Sequence, residues 1–142
     1  MMASDINETV TSDYYPNNLE YYDYIYLDHL KYSKKLLNDL IPVFRQFKVE
    51  TVFDACCGSG NDIIQLQKNG FIVNASDLCQ KMIDFTKSRF TKSYIDKASF
   101  FTANVLNLSK SCSSKFDLIL FRGNTLGHLT SDNQLKAIDE LV

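Results

Sequence analysis

Helix-like and strand-like patterns of apolar residues alternate along the chain from residue 19 onward. Apolar positions at helical spacing predict a helix over about residues 28 to 48, with Pro42 at a kink or in the first turn of a new helix. Short β-prone runs follow at residues 51–54, 71–76, 98–103 and 116–121, and amphipathic stretches come after the first, second and fourth runs. Alternation of this kind predicts an α/β fold with a parallel sheet.

The amino-terminal segment has a different character. Residues 1–18 are polar, carry no apolar period and end in a turn signal, which predicts a flexible tail. The aromatic residues around residue 19 favour either a lid over a ligand or a helix lying half-buried on the surface. Seven of the eight tyrosines fall in this part of the chain: Tyr14, Tyr15, Tyr21, Tyr22, Tyr24, Tyr26 and Tyr32.

Length and composition narrow the classes of protein. A chain of 142 residues with 45% hydrophobic residues has material for one packed domain. A net charge of -2 supplies no basic surface for a phosphate backbone, so we expect no nucleic-acid partner. No apolar run is long enough to span a membrane, and the acidic start lacks a signal-peptide pattern. A cytoplasmic protein with no membrane partner is therefore expected.

The cysteines do not indicate a metal site. Their number and spacing match neither a zinc cage nor a secreted disulfide framework, and adjacent cysteines do not easily bridge each other. We therefore predict structural thiols and no bound metal at Cys56, Cys57, Cys79 and Cys112.

Candidate binding chemistry follows the first two predicted strands. Asp54 ends the first strand, Gly58 and Gly60 lie in the loop after it, and Asp77 follows the second strand. Ligands of an open parallel sheet bind beyond the carboxyl ends of its strands, where a glycine loop exposes backbone amides. A carboxylate at Asp77 can accept hydrogen bonds from both hydroxyls of a ribose. The arrangement predicts a nucleoside site.

Two nucleotide classes fit the loop poorly. The dinucleotide fingerprint needs a third glycine where this chain has Ile63, and no Gly-Lys-Ser/Thr follows for a triphosphate. A nicotinamide-dependent oxidoreductase remains a candidate, disfavoured by Ile63 and by the acidic Asp54 before the glycines.

The pattern D-x-x-C-G-x-G over Asp54 to Gly60 resembles motif I of class I S-adenosylmethionine-dependent methyltransferases. The stretch Arg122-Gly-Asn-Thr-Leu-Gly-His-Leu129 looks like the glycine and sarcosine N-methyltransferase branch of that family. The resemblance implies a Rossmann-like fold preceded by helices, with parallel strands in the order 3-2-1-4. It also implies that residues 19–142 form a domain that binds S-adenosylmethionine.

The resemblance assigns a role to individual positions. It implies that the methionine moiety is held by Asp54, the Cys56 backbone, Gly58 and Gly60, and that its amine meets backbone carbonyls at Phe121 and Arg122. It implies that Asp77 binds the ribose and that Met82, Asn104 and Val105 hold the adenine. Asn124 and His128 would face the methyl acceptor as catalytic residues.

Simpler structural roles stay open for some of these residues. Asn104 and Asn124 would then satisfy turn backbone, and His128 would cap a loop. Asp77 would then be a solvated residue at the start of a helix.

The chain contains only part of the family's sheet. A complete class I sheet has seven strands in the order 3-2-1-4-5-7-6, whereas four are countable here before a helix begun by Thr130 to Asp132 reaches Val142. We therefore expect either a fragment of a longer enzyme or a domain completed by another chain or a second copy through the fourth strand's open edge. The isolated chain should bind its cofactor weakly and turn over slowly.

Two functions are compatible with this reading. The first is methyl transfer from S-adenosylmethionine to a small-molecule amine such as glycine or sarcosine. The alternative is an inactive cofactor-binding or regulatory module that pairs through the open edge.

Overall fold

Helices and strands alternate along the chain in the order that the sequence pattern predicts. The structure, a computed structural model, describes residues 19–90, 94, 98–122 and 125–142, so the predicted tail at 1–18 lies outside the described residues. The elements are α1 Tyr22–Ile25, α2 Leu27–Gln46, β1 Thr51–Asp54, α3 Asn61–Lys68, β2 Ile72–Asp77, α4 Gln80–Ser88, β3 Ser99–Thr102, β4 Leu118–Leu120 and α5 Ser131–Leu141. Short 3-10 helices lie at Leu19–Tyr21, Val105–Lys110 and Leu126–His128.

The four described strands form one parallel sheet in the order β3-β2-β1-β4. Val52 of β1 pairs with Val73 of β2 and with Leu118 of β4, while Asp77 of β2 pairs with Thr102 of β3. The sequence prediction of a Rossmann-like sheet in this order is confirmed. Parallel strands bring their carboxyl ends to one edge, and that edge carries the candidate residues.

Helices cover both faces of this sheet. Alternate strand residues point to opposite faces, so Val52 and Phe53 enter different cores. One core lies under α2 and α3 and contains Leu37, Ile41, Phe44, Val52, Ile63, Leu66, Val73 and Leu120. The other lies under α5 and the Val105–Lys110 turn, where Phe53 stacks between Phe101 and Phe116 at centroid distances of 5.9 and 4.9 Å. The two cores hold the strands, and thus the edge residues, in a fixed register.

Two details differ from the sequence prediction. Pro42 does not begin a new helix: it lies inside α2, whose buried Ile41 and Phe44 continue the apolar stripe on both sides of it. A run as continuously apolar as residues 116–121 is typical of a strand buried on both faces, but Ile119 is 37% exposed. Leu118 and Leu120 pack in the core under α2, whereas Ile119 points to the other face and belongs to neither core.

The described strands and helices also differ slightly in length from their predicted ranges. β4 is confined to Leu118–Leu120, although Phe116 still packs against Phe53 in the core. Thr130 occupies the N-cap position of α5 without a side-chain hydrogen bond to the helix. In the described residues, no helix is both long and apolar enough to cross a membrane.

Candidate functional site

The carboxyl ends of β1, β2 and β4 bring three charged residues to one edge of the sheet. Asp54 ends β1, Asp77 ends β2, and Arg122 lies two residues after β4. The three are close enough that the charges of Asp77 and Arg122 both act on the pKa of Asp54, in opposite directions. The structure therefore brings these three predicted residues together, and the ligand roles assigned to them stay predictions.

The loop between β1 and α3 depends on its glycines. Gly58 has φ 52° and Gly60 has φ 79°, a left-handed conformation that side chains disfavour. A Cβ at Gly60 would lie 2.5 Å from Cγ2 of the buried Thr86. The Thr86 hydroxyl donates to the Gly58 carbonyl at 2.9 Å, so α4 supports the loop from below. A Cβ at Gly58 would meet nothing within 4 Å, which leaves the backbone open above the loop.

Asp77 joins the loop to the end of β2. Its carboxylate accepts hydrogen bonds from the backbone N–H of Gly58 and of Cys79, each at 2.9 Å. Burial raises the pKa of Asp77, and these N–H groups act against that shift. Each carboxylate oxygen can accept more than one hydrogen bond, so Asp77 retains capacity for a ligand hydroxyl.

Asp54 is the most perturbed of the described carboxyl groups. It is 4% exposed, and burial raises its pKa to about 7. The charges of Asp62 and Asp77 contribute to this rise in pKa, while the Cys56 N–H and Arg122 oppose it. A cation bound beside Asp54 would stabilise the ionised carboxylate, so the electrostatics of this edge favour a positively charged group.

Arg122 joins α2 and α3 to the end of β4. Its Nη2 donates to the Ser33 hydroxyl at 2.7 Å and to the Ser33 carbonyl at 3.1 Å. Its Nη1 lies 3.2 Å from a carboxylate oxygen of Asp62. This contact is an ion pair without a hydrogen bond, and the buried Nη1 has no hydrogen-bond acceptor in the part of the chain that the structure describes.

A second polar network, which the sequence did not predict, ties α1 to the loop. Asp23 of α1 accepts hydrogen bonds from the Ser59 hydroxyl at 2.6 Å and from the Asn61 amide at 2.9 Å. Arg89 pairs with Asp23 at 3.0 Å and also donates to the Ser59 carbonyl and to Asn61. Nothing in the local sequence pattern around Asp23 signals these contacts, because their partners lie far along the chain.

The tyrosines near α1 divide into two groups. Tyr22 and Tyr26 are half-buried, with ring centroids 5.0 Å apart. Tyr21, Tyr24 and Tyr32 are exposed. The expected lid and the expected half-buried helix both stay predictions, and Tyr14 and Tyr15 lie outside the described residues.

The residues predicted to hold adenine lie on the β2 and β3 side of the edge. Asn104 caps the turn that follows β3, and its side-chain oxygen accepts from the Leu106 N–H at 2.9 Å. Val105 is buried, and Met82 is fully buried in α4, so its side chain contributes no surface to the edge. Their contact with adenine stays a prediction.

The remaining predicted residues follow β4. Phe121 is half-buried against the core under α5, and the Arg122 carbonyl accepts from the Thr125 hydroxyl at 3.3 Å. His128 lies on the exposed 3-10 turn Leu126–His128. Asn124 lies outside the described residues. The acceptor-facing roles of Asn124 and His128 therefore stay predictions.

The thiols near the loop are poor nucleophiles. Burial and the nearby charges of Asp54 and Asp77 raise the pKa of both Cys56 and Cys57 well above the usual range. A thiol that stays protonated cannot attack an electrophile efficiently. The chemistry of this edge therefore belongs to its carboxylates, its backbone amides and Arg122.

A cavity of about 420 Å³ lies elsewhere, near the start of β2 and lined partly by Arg45, Glu50 and Asn69. It is at the amino-terminal edge of the sheet, away from the glycine loop. Since ligands of parallel sheets bind at the carboxyl edge, we do not assign the functional site to this cavity.

Comparison with known proteins gives a family for the chain. The methyltransferase domain family matches residues 52–142. Human glycine N-methyltransferase is 33% identical over an alignment of 98 residues, and the match covers 63% of this chain and 33% of the human protein. The rat glycine N-methyltransferase is also 33% identical, over 96 residues. The matched part spans about a third of the length of these curated relatives.

Solved structures show the same fold. Magnesium protoporphyrin IX methyltransferase from Synechocystis PCC 6803, solved with bound S-adenosylmethionine, has a TM-score of 0.73 at 19% identity, covering 99% of this chain and 73% of its own. An S-adenosylmethionine-dependent methyltransferase from Clostridium acetobutylicum has a TM-score of 0.72 at 23% identity. That match covers 88% of this chain and 52% of the Clostridium protein.

The residues at the edge fit S-adenosylmethionine. The methionyl end carries an ammonium group, which suits the buried carboxyl group of Asp54. The cofactor has no phosphate, whereas a dinucleotide would place phosphates near Asp54 and Asp77. The family match, the sheet order and the loop chemistry agree. The chain therefore belongs to the class I S-adenosylmethionine-dependent methyltransferases.

Proposed function

We propose that this protein transfers a methyl group from S-adenosylmethionine to a small-molecule amine, with glycine and sarcosine as the first candidates. The observation that carries the proposal is the glycine loop held between Asp54 and Asp77 at the carboxyl edge of the sheet. The choice of amine rests on the curated relatives that match this chain, which are glycine N-methyltransferases.

When bound, the sulfonium of the cofactor supplies both the methyl group and a good leaving group. The protein's part is alignment and exclusion of water. Asp54 would accept from the ammonium group, Asp77 from the ribose hydroxyls, and Gly58 would let the ligand approach the backbone closely. Positioning of this kind can lower a barrier by about 7 to 11 kcal/mol in favourable cases, which exceeds the usual contribution of one general base.

The acceptor amine must be neutral to attack the methyl group. We propose that Asn124 and His128, which follow β4, lie on the acceptor side and orient this amine. The proposal also includes the cytoplasmic location expected from the sequence and a small molecule, rather than a nucleic acid or a membrane, as partner.

A radiometric assay tests the function. The 142-residue chain is incubated with S-[methyl-³H]adenosylmethionine and either glycine, sarcosine or acetate, which keeps the carboxylate of glycine but has no amine. We expect slow transfer to glycine or sarcosine, none to acetate, and loss of transfer in Asp77→Asn. Transfer independent of the amine, or an undiminished rate in Asp77→Asn, would contradict the proposal.

One observation favours the second candidate, a cofactor-binding module that pairs through β4. This strand is at the edge of the described sheet, and Ile119 is exposed on it. Size-exclusion chromatography with light scattering, combined with titration of S-adenosylmethionine, separates the candidates. A dimer that binds the cofactor and transfers no methyl group supports the module, and Ile119→Lys should return it to a monomer.

A further inference from the structure

We infer that Arg89 is a positioning residue for cofactor binding: its guanidinium group holds the glycine loop and α1 together, so that the affinity for S-adenosylmethionine depends on the docking of α1. This inference rests on the proposed function. It concerns a side chain at the carboxyl-terminal end of α4, outside the residues that the sequence predicts to touch the cofactor.

The first support is the way in which the side of α4 fixes the backbone of the loop. Nη1 of Arg89 donates to the Ser59 carbonyl at 2.6 Å, and the Thr86 hydroxyl, three residues earlier, donates to the Gly58 carbonyl at 2.9 Å. The N–H of Gly58 is bonded to Asp77. Two consecutive carbonyls are thus held toward α4, and the loop has its conformation before a ligand arrives, which favours binding.

The second support is a closed network that includes α1. Nη1 of Arg89 lies 3.0 Å from the Asp23 carboxylate, and Nη2 donates to the side-chain oxygen of Asn61 at 2.8 Å. The Asn61 amide donates to Asp23 and to the Ser59 hydroxyl, each at 2.9 Å, and that hydroxyl donates to Asp23 at 2.6 Å. Each of these four residues contacts the other three, so α1 cannot move away without breaking bonds to the loop.

The third support is the environment of the ion pair. The side chains of Arg89 and Asp23 are 27% and 28% exposed, whereas those of the surface pair Lys31 and Asp28 are 69% and 99% exposed. The guanidinium group also lies over the Phe85 ring, 5.6 Å from its centroid, which favours one orientation. A pair shielded from water is screened less than a surface pair, so this one can link α1 to the loop.

A thermodynamic consequence follows from this link. Because docked α1 raises the affinity for the cofactor, the bound cofactor must stabilise docked α1 by the same factor. Removal of the Arg89 side chain should therefore weaken both effects together. A residue that merely stabilises the folded chain would change neither of them.

Titration calorimetry of the 142-residue chain with S-adenosylhomocysteine, the demethylated cofactor, tests the effect on affinity. We expect Arg89→Gln to weaken binding by about 5- to 50-fold. Arg89→Lys, which keeps the charge without the planar fork, should recover part of this loss. Arg45→Gln is the matched control, because Arg45 also donates to a backbone carbonyl, that of Asn69, but at the amino-terminal edge of the sheet. Unchanged affinity in Arg89→Gln, or an equal loss in Arg45→Gln, would overturn the inference.

Hydrogen exchange supplies a readout that a purely structural role would not move. Saturating S-adenosylhomocysteine should slow the exchange of α1 amides in the wild type by a similar factor, about 5- to 50-fold, and should have little effect on them in Arg89→Gln. The absence of slowing in the wild type, or the same slowing in both proteins, would overturn the link between the loop and α1.

A double-mutant cycle locates this link. Asp23→Asn should weaken the binding of S-adenosylhomocysteine, and it should cost less affinity in the Arg89→Gln background, where the ion pair is already absent. Additive losses would overturn the ion pair as the link. A wild type that does not bind S-adenosylhomocysteine would overturn the cofactor site and this inference together, whereas a wild type that binds it while Arg89→Gln has no effect would overturn this inference alone.

Discussion

At the scale of single residues, Asp54 combines a cost in stability with a use in binding. Its carboxyl group is buried at the end of β1, and burial raises its pKa to about 7. A buried carboxyl group whose ionisation lowers the stability of the folded protein is typical of a functional site. The structure thus keeps a carboxylate where an ammonium group of a ligand can compensate it.

We expect cofactor affinity to depend on pH through Asp54. Below pH 7 the group is mainly protonated in the free protein, and only the ionised form attracts the ammonium group. The affinity for S-adenosylhomocysteine should therefore rise about tenfold from pH 6 to pH 8, and binding at pH 6 should release a proton. Titration calorimetry in buffers of different ionisation enthalpy measures both the affinity and the number of protons released.

The variant Asp54→Asn is the control for this dependence. The pKa of Asp54 is about 7 in the folded protein and 3.8 in the unfolded chain, so the folded state binds this proton more tightly. The contribution of that proton to the free energy of unfolding is complete below pH 3.8 and is lost as the pH rises through about 7. At pH 8 the variant should gain about 2 to 4 kcal/mol in free energy of unfolding and lose the pH dependence of binding. A pH-independent affinity in the wild type would contradict this account.

Gly60 is expected to be intolerant of any side chain. In Gly60→Ala the left-handed backbone costs about 1 kcal/mol, and contact with Thr86 adds about 1 to 3 kcal/mol. Gly70→Ala is the matched control: its φ is 91°, but a Cβ meets nothing within 4 Å, so only the backbone cost applies. Urea unfolding measures both losses.

A second substitution separates the two costs at Gly60. Thr86→Ser removes the methyl group that lies closest to a Cβ at Gly60, and it keeps the hydroxyl that donates to the Gly58 carbonyl. In the Gly60→Ala background it should restore part of the lost stability. Equal losses for Gly60→Ala and Gly70→Ala would show that Thr86 does not constrain the loop.

The sequence predicted these residues unevenly. The spacing of Asp54, Gly58, Gly60 and Asp77 carries a local signal, because a glycine loop between strand and helix has few alternatives. Thr86 gave no such signal: its contact with the loop arises only when α4 packs beneath it. Pairing across the fold is set by tertiary packing, which a pattern along the chain does not encode.

At the scale of elements, α1 is a helix of four residues whose position depends on polar contacts. It has no buried residue, and Asp23 is bonded to the glycine loop and to Arg89. So short a helix is not stable alone in water. The network at Asp23 therefore holds the helix against the site.

Asp23→Asn should release α1. The substitution removes the charge that pairs with Arg89 and weakens the bonds from Ser59 and Asn61, at a cost of about 1 to 2 kcal/mol. Hydrogen exchange should become faster in α1 while the β1 amides stay protected.

Asp28→Asn provides the matched control for α1. It removes a carboxylate in the first turn of α2 whose contact with Lys31 is 3.6 Å long and highly exposed. Such surface pairs contribute little, so exchange in α1 should not change. The same exchange rate in α1 for both variants would contradict the role assigned to Asp23.

The elements themselves were largely predictable. Val52, Phe53 and Val73 lie in short β-prone runs next to turn signals, and the strands that they predict are confirmed. The exposure of Ile119 was not predictable, because an apolar residue in a strand gives no information about which face is covered. The position of α1 was equally hidden, since its partners Ser59 and Arg89 are distant in sequence.

At the scale of the whole molecule, packing on both sheet faces holds the site together. Four parallel strands bring Asp54, Asp77 and Arg122 to one edge. At the amino-terminal edge of the sheet, the Asp117 carboxylate before β4 accepts hydrogen bonds from the backbone N–H groups of Glu50 and Thr51 at 3.0 and 2.8 Å. These bonds join the starts of β1 and β4. The strand order followed from the family resemblance, whereas the two cores that enforce it required the structure.

The most direct test of the account is a crystal structure of the chain with S-adenosylhomocysteine. We predict electron density above the loop at Gly58, with the ribose hydroxyls within hydrogen-bond distance of the Asp77 carboxylate and the amine beside Asp54. Density at another surface, or a ligand whose ribose makes no contact with Asp77, would contradict the central claim that this edge of the sheet binds the cofactor.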